Sequence, residues 1–539
     1  MSTVAVDRTD WFTVPSTDNM TLIAPSDQSR FPVAVGIALG SGVAIALSLP
    51  PFGWWPLAVM GLGAVAAVLY QRPPARRATL GAAVGLGQYA IGLWWVTEFN
   101  VGGYVALLVL SMAFTAAAGA AVGSRRRAGV LVGLPAALMA SDWARGHFPF
   151  GGLPLGGLAL GQAAGPLVPV ARLGGPLLVT GVTAAAGAGL ATILAGARSA
   201  GRQWGSGGGA HADDRPSGRR HGVFGRQAVA GAMALAVVGL LVAAGRLGPD
   251  GAGTGVRPAI AVATIQGGGV RGLHAGDVDP EVVFRRQVDL SDTLRGPFDL
   301  VVWPEDVVRV DAPIASTPEG AEVGRLATRL GATVVAGVVE DVGTGRFRNA
   351  AVAWSPAGVI VARYDKVHRV PFGEYIPGRG LFRHVANLDL VPRDAIAGRG
   401  PGVLSTPAGP LGTVISYEVF FEDRARSAIH AGGEVLVVPT NASSYRTSQV
   451  PSQEVAAAQL RAWETGRDTV QAAPTGYSAL IDHDGRVLAR STLGRPQAIS
   501  GVLTLRHGQT LFVRLGDLPV LVLALLGLIA AIRLAPRPR

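Results

Sequence analysis

The chain has 539 residues, of which 49% are apolar and only 15% charged, against roughly 25% charged in ordinary soluble domains. That balance excludes a disordered chain and argues against a purely soluble enzyme. There is no cysteine, so disulfides, thiolate metal sites and cysteine nucleophiles are excluded. Forty-seven basic against 36 acidic residues leave a charge of +11. The arginines lie between apolar segments, the pattern of membrane flanks and not of a nucleic-acid binder.

A spanning helix needs about 20 mainly apolar residues. In chain order the candidates are Phe31–Leu49, Trp54–Tyr70, Thr79–Val96, Gly102–Val122, Ala128–Ala140, Gly174–Ala197, Ala228–Gly245 and Leu518–Ile532. Residues 1–30 form a tail without the basic start or cleavage site of a secretory signal, so the first span is expected to be retained. Basic clusters at Arg72, Arg76 and Arg77, at Arg125 to Arg127, at Arg198 to Arg226, and at Arg533 to Arg539 alternate with loops almost free of basic charge. Basic loops stay cytoplasmic, so about eight spans put both termini inside, with Trp54, Trp55, Trp94 and Trp95 near the outer face. Residues 31–197 then hold spans one to six, 198–227 a flexible Gly- and Arg-rich cytoplasmic linker, 228–246 span seven, 511–533 span eight, and 534–539 a cytoplasmic tail.

Residues 256–507 differ in kind. Short β-branched runs (Ala259–Ile265, Leu300–Trp303, Thr333–Val339, Ala350–Trp354, Val359–Tyr364, Gly412–Ser416, Glu434–Pro439) alternate with amphipathic helical segments at Pro280–Leu294, Glu319–Leu330 and Gln453–Gly466. Buried strands alternating with helices predict an α/β domain. The span count puts it outside the cytoplasm.

One lysine, Lys366, stands among 46 arginines. Arginine is charged at every working pH, whereas lysine is a compact donor whose pKa moves on burial. A site that needs an ammonium point charge would resist replacement by arginine; chance survival of a surface lysine is the competing reading. Two other segments end apolar runs with polar groups, Trp303-Pro304-Glu305 and Ile415-Ser416-Tyr417-Glu418. Strand ends are where α/β domains build sites, although one acid after a strand is usually a turn or a cap.

Taken together, Trp303-Pro304-Glu305, then Tyr364-Asp365-Lys366-Val367-His368-Arg369-Val370-Pro371-Phe372-Gly373-Glu374-Tyr375, then Ser416-Tyr417-Glu418 resemble the three-part signature of the nitrilase superfamily. With the spans, and with Pro51-Phe52-Gly53-Trp54-Trp55-Pro56, Gly85-Leu86-Gly87-Gln88, Gln266-Gly267, Asn441-Ala442, Arg461-Ala462-Trp463-Glu464-Thr465-Gly466-Arg467 and Thr475-Gly476, nearly the whole chain is similar to the apolipoprotein N-acyltransferase family. The resemblance implies a polytopic α-helical membrane domain plus an extracytoplasmic nitrilase-like α-β-β-α sandwich. It implies transfer of an acyl chain from a phospholipid to the N-terminal amine of a diacylated apolipoprotein through an acyl-enzyme. By position it makes Glu305 the general base, Lys366 the oxyanion-stabilising cation and Ser416 the nucleophile. Glu374, Tyr417 (through its backbone N–H) and Glu418 support them, and Asn441, Tyr445 and His274 are substrate-side residues. No cofactor or metal is expected, because Gly267-Gly268-Gly269 opens no βαβ unit and the nine histidines show no ligand spacing. The partners implied are membrane lipids, the two substrates, and a polyprenol-phosphate mannose synthase.

The family's nucleophile is cysteine, and here the position is serine. A free thiol has a pKa of about 8.5, whereas a serine hydroxyl must lose its proton as it attacks. Three readings follow: a serine driven by Glu305, a replacement introduced to block turnover, or an inactive, scaffold-like relative. A membrane-anchored amidase would use the same trio with water as acceptor. Glu98, Asp142 and Arg145 lie near span ends and read as interfacial charges, with Arg145 open to a phospholipid headgroup.

Overall fold

The computed structural model describes residues 27–123, 127–205, 219–255, 258–269, 278–382, 391–442 and 448–534. His274 and Tyr445 lie outside the described residues.

Helices α1 (Asp27–Ser48), α2 (Pro56–Leu69), α3 (Pro74–Gly92), α4 (Val101–Ala121), α5 (Arg127–His147), α6 (Ala171–Gly205) and α7 (Arg219–Leu247) come before the α/β half of the chain. Of these, α1, α4, α6 and α7 contain stretches long and apolar enough to cross a membrane; α2 is apolar but shorter. Their outward faces carry large apolar side chains, such as Met233 and Leu240 of α7. Their inward faces combine buried side chains such as Ile45, Leu62 and Leu80 with glycines at the closest contacts. A Cβ on Gly42 would lie 2.1 Å from the Val84 carbonyl oxygen, and one on Gly87 would lie 2.3 Å from that of Leu39, so α1 and α3 meet backbone to backbone. Small residues at the contact are how helices pack where lipid removes the hydrophobic drive.

Several boundaries differ from the sequence reading. The run Thr79–Val96 is broken: α3 ends at Gly92, and Trp94–Glu98 is a separate 3-10 turn. Helix α6 starts at Ala171 and bends at Gly174 and Gly175. The segment 198–227, read as a linker, is helical through Gly205 and again from Arg219. Arg145 does not face headgroups. It is buried, donates to the carbonyls of Leu153 and Leu155 at 2.9 and 2.6 Å, and pairs with Asp142, so it holds the loop after α5.

The α/β half contains two sheets. The first is built from β1 (Ala259–Gln266), β2 (Leu300–Val302), β3 (Val308–Val310), β4 (Thr333–Asp341), β5 (Arg346–Trp354), β6 (Ile360–Asp365), β7 (Asp394–Ala395) and β14 (Gln497–Thr504). Its order is β14-β1-β2-β4-β5-β6, with β3 against β4 and β7 against β5. The second is built from β8 (Val403–Thr406), β9 (Gly409–Thr413), β10 (Val435–Pro439), β11 (Thr469–Ala472), β12 (Ala479–Ile481) and β13 (Val487–Arg490), in the order β13-β12-β11-β10-β9-β8.

Side-chain alternation along the strands fixes the layers. Val262, Leu300, Val302 and Val335 pack against Leu411, Val435, Val437 and Val470 of the second sheet. Their neighbours Ala263, Val301 and Val334 pack outward on α8 (Pro280–Asp292) and α9 (Pro318–Leu330) through Phe284 and Leu326. On the far side, Leu436, Val438 and Ala479 cover α11 (Glu422–His430) and α12 (Gln449–Thr465). A short helix α10 (Arg379–Phe382) lies between β6 and β7. The product is a helix–sheet–sheet–helix sandwich. Helices α13 (Leu511–Leu515) and α14 (Leu518–Arg533) lead back to the bundle, where α14, apolar but short, packs on α5.

The sandwich rests on one end of the bundle. Leu460 and Trp463 of α12 pack with Val170, just before α6, and with Leu177 and Leu178 near its start. The Gln449 amide donates to the Ile91 carbonyl at 2.8 Å and the Gln453 amide to that of Gly92 at 3.2 Å, both at the end of α3. The Phe512 ring occupies the space beside Gly175, where a Cβ would lie 2.4 Å from it; Gly175 has φ +63°, open to glycine.

Candidate active site

Glu305 follows β2 by three residues and is held by the neighbouring strand. Gly337 of β4 donates to the Pro304 carbonyl at 3.1 Å and accepts from Val307 N–H at 3.2 Å. A Cβ at Gly337 would lie 2.4 Å from the Cα of Glu305, so only glycine lets this loop settle on β4. Lys366 is the first residue after β6, and its N–H donates to the Asn349 carbonyl at 2.8 Å. Asn349 lies on β5, one of the two strands between β2 and β6 in the sheet order.

These elements converge on one buried cluster. Lys366 is 2% exposed. Its Nζ donates to Glu305 Oε1 at 2.8 Å and to Glu374 Oε1 at 2.9 Å. Asn349 Nδ2 donates to the same two oxygens, at 2.7 and 2.9 Å. Glu374 Oε2 accepts from Val370 N–H at 2.7 Å, which pins the turn joining lysine and acid. Burial alone would lower the ammonium pKa. The two carboxylates outweigh it and hold Lys366 above the usual lysine range. Burial pushes the Glu305 carboxyl up, Lys366 pulls it down and Glu374 adds to the rise; the net direction is upward. A carboxyl moved up from its ordinary range is suited to taking and returning a proton near neutral pH.

Ser416 was expected to end a strand. Strand β9 stops at Thr413, and Ser416 instead opens a 3-10 turn, Ser416–Phe420, with φ +49°. That conformation is strained for a residue with a Cβ, and such strain gathers at functional sites. Of the five non-glycine residues with positive φ among the described residues, Asp306, Phe372 and Ser416 all border this cluster. Ser416 Oγ lies 3.3 Å from Thr440 Oγ1, at the end of β10.

Glu418 ties the lysine segment to the serine segment. Fully buried, it accepts from Val367 N–H at 2.8 Å, His368 N–H at 3.0 Å, Ile415 N–H at 2.8 Å and the Tyr364 hydroxyl at 2.9 Å. A carboxylate satisfied by several donors fixes geometry at low cost. The Tyr417 hydroxyl donates to the Gly152 carbonyl at 3.1 Å, in the loop after α5. Asn441 donates to Asp306 at 3.3 Å, joining the residue after Thr440 to the residue after Glu305.

Glu305 and Glu374 thus both accept from Lys366 and Asn349. Ser416 lies on a second arm that the Asn441–Asp306 contact joins to the first. Sequence reasoning missed Asn349, Gly337, Thr440 and Glu454. Gln266, matched by resemblance, acts structurally: its amide donates to the Thr492 and Arg495 carbonyls at 2.6 and 2.9 Å. Among the described residues no group of histidine and carboxylate side chains could hold a metal ion.

A buried carboxyl group, a buried ammonium and a strained hydroxyl on a nitrilase-like α/β sandwich, seated on apolar helices, define a membrane-bound acyl-transfer enzyme of the carbon-nitrogen hydrolase type. The family model for the apolipoprotein N-acyltransferase N-terminal domain matches residues 41–189, and that for carbon-nitrogen hydrolase matches residues 262–505. The chain is 31% identical over 531 residues to the apolipoprotein N-acyltransferase of Mycolicibacterium smegmatis, covering 93% of this chain and 86% of that one. It is 27% identical to that of Geobacter metallireducens (89% and 91% covered) and 28% identical to that of Methylococcus capsulatus (90% and 94% covered). The chain belongs to the apolipoprotein N-acyltransferase family.

Proposed function

We propose that Glu305, Lys366 and Ser416 perform the family's reaction, moving an acyl chain from a membrane phospholipid to the free amine of an apolipoprotein's diacylglyceryl-cysteine. Ser416 Oγ attacks the phospholipid ester carbonyl while Glu305 takes the hydroxyl proton. Lys366 and the Tyr417 backbone N–H stabilise the negative charge on the carbonyl oxygen, commonly the largest catalytic term. The carbon–oxygen bond to the lysophospholipid breaks, and the leaving oxygen receives the proton from Glu305. The acceptor amine then attacks the acyl-serine ester and gives its proton to Glu305, and Ser416 leaves with that proton. Splitting the transfer lets donor and acceptor use one site in turn. The observation that carries this reading is the chain's single lysine, buried with its ammonium 2.8 Å from Glu305.

The proposed topology has α1 to α7 and α14 crossing the bilayer, with the sandwich outside and both termini inside. In its support, the contacts of the sandwich fall at the ends of α3 and α5 and at the start of α6, while Arg72, Arg76, Arg77 and Arg533 flank the opposite ends. Exposed aromatic side chains stand at the end of the bundle that meets the sandwich, Trp54 before α2, Trp94 after α3, and Phe148 and Phe150 after α5, and Phe150 packs edge-on against the exposed Phe372 of the lysine segment. Aromatics so placed belong at a membrane interface and favour a lipid donor over a soluble amide.

Purified protein with labelled phospholipid and a diacylated lipopeptide tests the reading by the mass of the lipopeptide. Gain of one acyl chain that disappears in Ser416→Ala is expected. Free fatty acid as the only product would make the protein a hydrolase. No product, with transfer appearing in Ser416→Cys, would make the present chain a blocked catalyst.

A further inference from the structure

Glu454, in the second turn of α12, has no part in the mechanism above, yet it is buried to 3% exposure. Its Oε1 lies 2.6 Å from Thr440 Oγ1, the same oxygen that lies 3.3 Å from Ser416 Oγ. Its Oε2 is buried with no hydrogen-bond partner among the described residues. An ionised carboxylate with a bare buried oxygen is costly, and a neutral acid much less so. Burial drives the carboxyl upward and Glu305 adds to it, while Thr440 and Lys366 oppose; the result is about 8. The charges that face it are Glu305, after β2, and Lys366, after β6. Arg461 and Glu464, further along α12, pair with each other.

A hydroxyl has one hydrogen to give and lone pairs to receive others. Thr440 can therefore donate to Glu454 or to Ser416, but not to both. When Glu454 carries a proton, its O–H donates to Thr440, Thr440 donates to Ser416 Oγ, and the serine hydrogen is left for Glu305. When Glu454 is ionised, the Thr440 hydrogen turns to the carboxylate, and Thr440 accepts the serine hydrogen.

We propose that Glu454 is a positioning residue which, through Thr440, aims the Ser416 hydroxyl hydrogen at Glu305 when protonated and turns it away when ionised. The proposal rests on Ser416 being the nucleophile. No covalent bond to carbon changes in the switch; one proton leaves Glu454 for solvent as pH rises. Acylation therefore falls on the alkaline side. Lys366, held above the usual lysine range, stays charged there and does not produce that limb.

The test is single-turnover acylation of the full-length protein in detergent micelles by phosphatidylethanolamine with a fluorescent acyl chain, without acceptor. Between about pH 7 and about pH 9.5 the wild-type rate falls about tenfold or more, as one group with an apparent pKa near 8 requires. Glu454→Gln donates at every pH, so its alkaline limb is absent and its rate at the upper pH exceeds the wild type's by about tenfold. Glu454→Leu, of similar size but unable to donate, is about tenfold slower than Glu454→Gln at both pH values. Thr440→Val loses the limb and Thr440→Ser restores it. Independently of turnover, the infrared difference between wild type and Glu454→Gln shows a carboxylic-acid carbonyl band at neutral pH. A wild-type limb in Glu454→Gln, equal rates for the Gln and Leu variants, or no acid band overturns the proposal. Label retained by Ser416→Ala overturns the assignment of the nucleophile instead, and the proposal with it.

Discussion

The bundle and the sandwich both bury apolar side chains but differ in what their outer faces carry and in how closely their backbones meet. In the sandwich, large apolar side chains point inward: Trp303 and Trp354 are fully buried, and valine and leucine fill the space between the sheets. In the bundle large apolar side chains lie on both sides: Ile45, Leu62, Leu80 and Leu134 fill its interior, Leu240 on α7 and Leu525 on α14 point outward, and glycines bring α1 and α3 together. One chain is thus patterned for two solvents. Water drives apolar burial in the sandwich; in lipid the helices rely on close contact. The difference also shows where charge is tolerated. The sandwich buries Glu305 and Lys366, with the half-buried Glu374 beside them and one ammonium between the two carboxylates, whereas the basic residues of the bundle collect at helix ends.

The largest expected effect tests whether that buried charge cluster is catalytic. Lys366→Met removes the cation and leaves Glu305 and Glu374 facing each other without a counter-charge. Acylation should fall by about a thousandfold, as for loss of a principal oxyanion donor. Lys366→Arg should not restore it, since a planar fork does not reproduce one nitrogen between two carboxylate oxygens. Single-turnover labelling measures both. Activity within about tenfold of wild type in either variant would reduce the cluster to a structural ion pair and erase the contrast with the bundle.

The site divides by how its residues signal themselves. Glu305, Lys366 and Ser416 stand at the ends of β-branched runs, so a linear reading finds them. Lys366 is marked further by being the only lysine. Asn349 sits inside β5 and reads as one polar position in an alternating strand. Glu454 reads as an ordinary acid on an amphipathic helix, because nothing local reveals that α12 turns it toward Thr440. Gly337 is needed only because the Glu305 loop crosses it. These are consequences of strand order, which a local pattern does not carry. The two-part architecture was legible because its periodicities differ: about 20-residue apolar runs against alternating strands. The break at Gly92 and the bend at Gly174 and Gly175 were not, since glycine occurs throughout this chain and only the docked sandwich distinguishes these positions.

A smaller effect separates the packing rules. Gly87→Leu places a side chain where the Leu39 carbonyl oxygen lies and forces α1 from α3. The loss of stability should be about 2–3 kcal/mol, the usual cost of overpacking a tight contact. Thermal unfolding in detergent, followed by circular dichroism, measures it. An unchanged midpoint would show that the bundle does not depend on close backbone contact.

The smallest effect lies at the seam. Arg172, at the start of α6, donates to Asp484 Oδ1 at 2.6 Å and to the His483 carbonyl at 3.1 Å, and its guanidinium lies 4.5 Å from the Trp463 ring. Arg172 is buried and Asp484 is half exposed. Asp484→Asn removes one charge but leaves the carbonyl and the ring to satisfy the arginine. The loss should stay below about 1 kcal/mol, the range of ion pairs open to water. Salt should narrow it further, since about 0.5 M shortens the screening length to a few ångströms. Thermal unfolding of the wild type and Asp484→Asn at low and high salt gives both quantities. A loss of several kcal/mol that salt does not touch would mean that the seam follows the rule of the sandwich interior, where a charge without its partner is costly, and not that of a wet rim between two bodies.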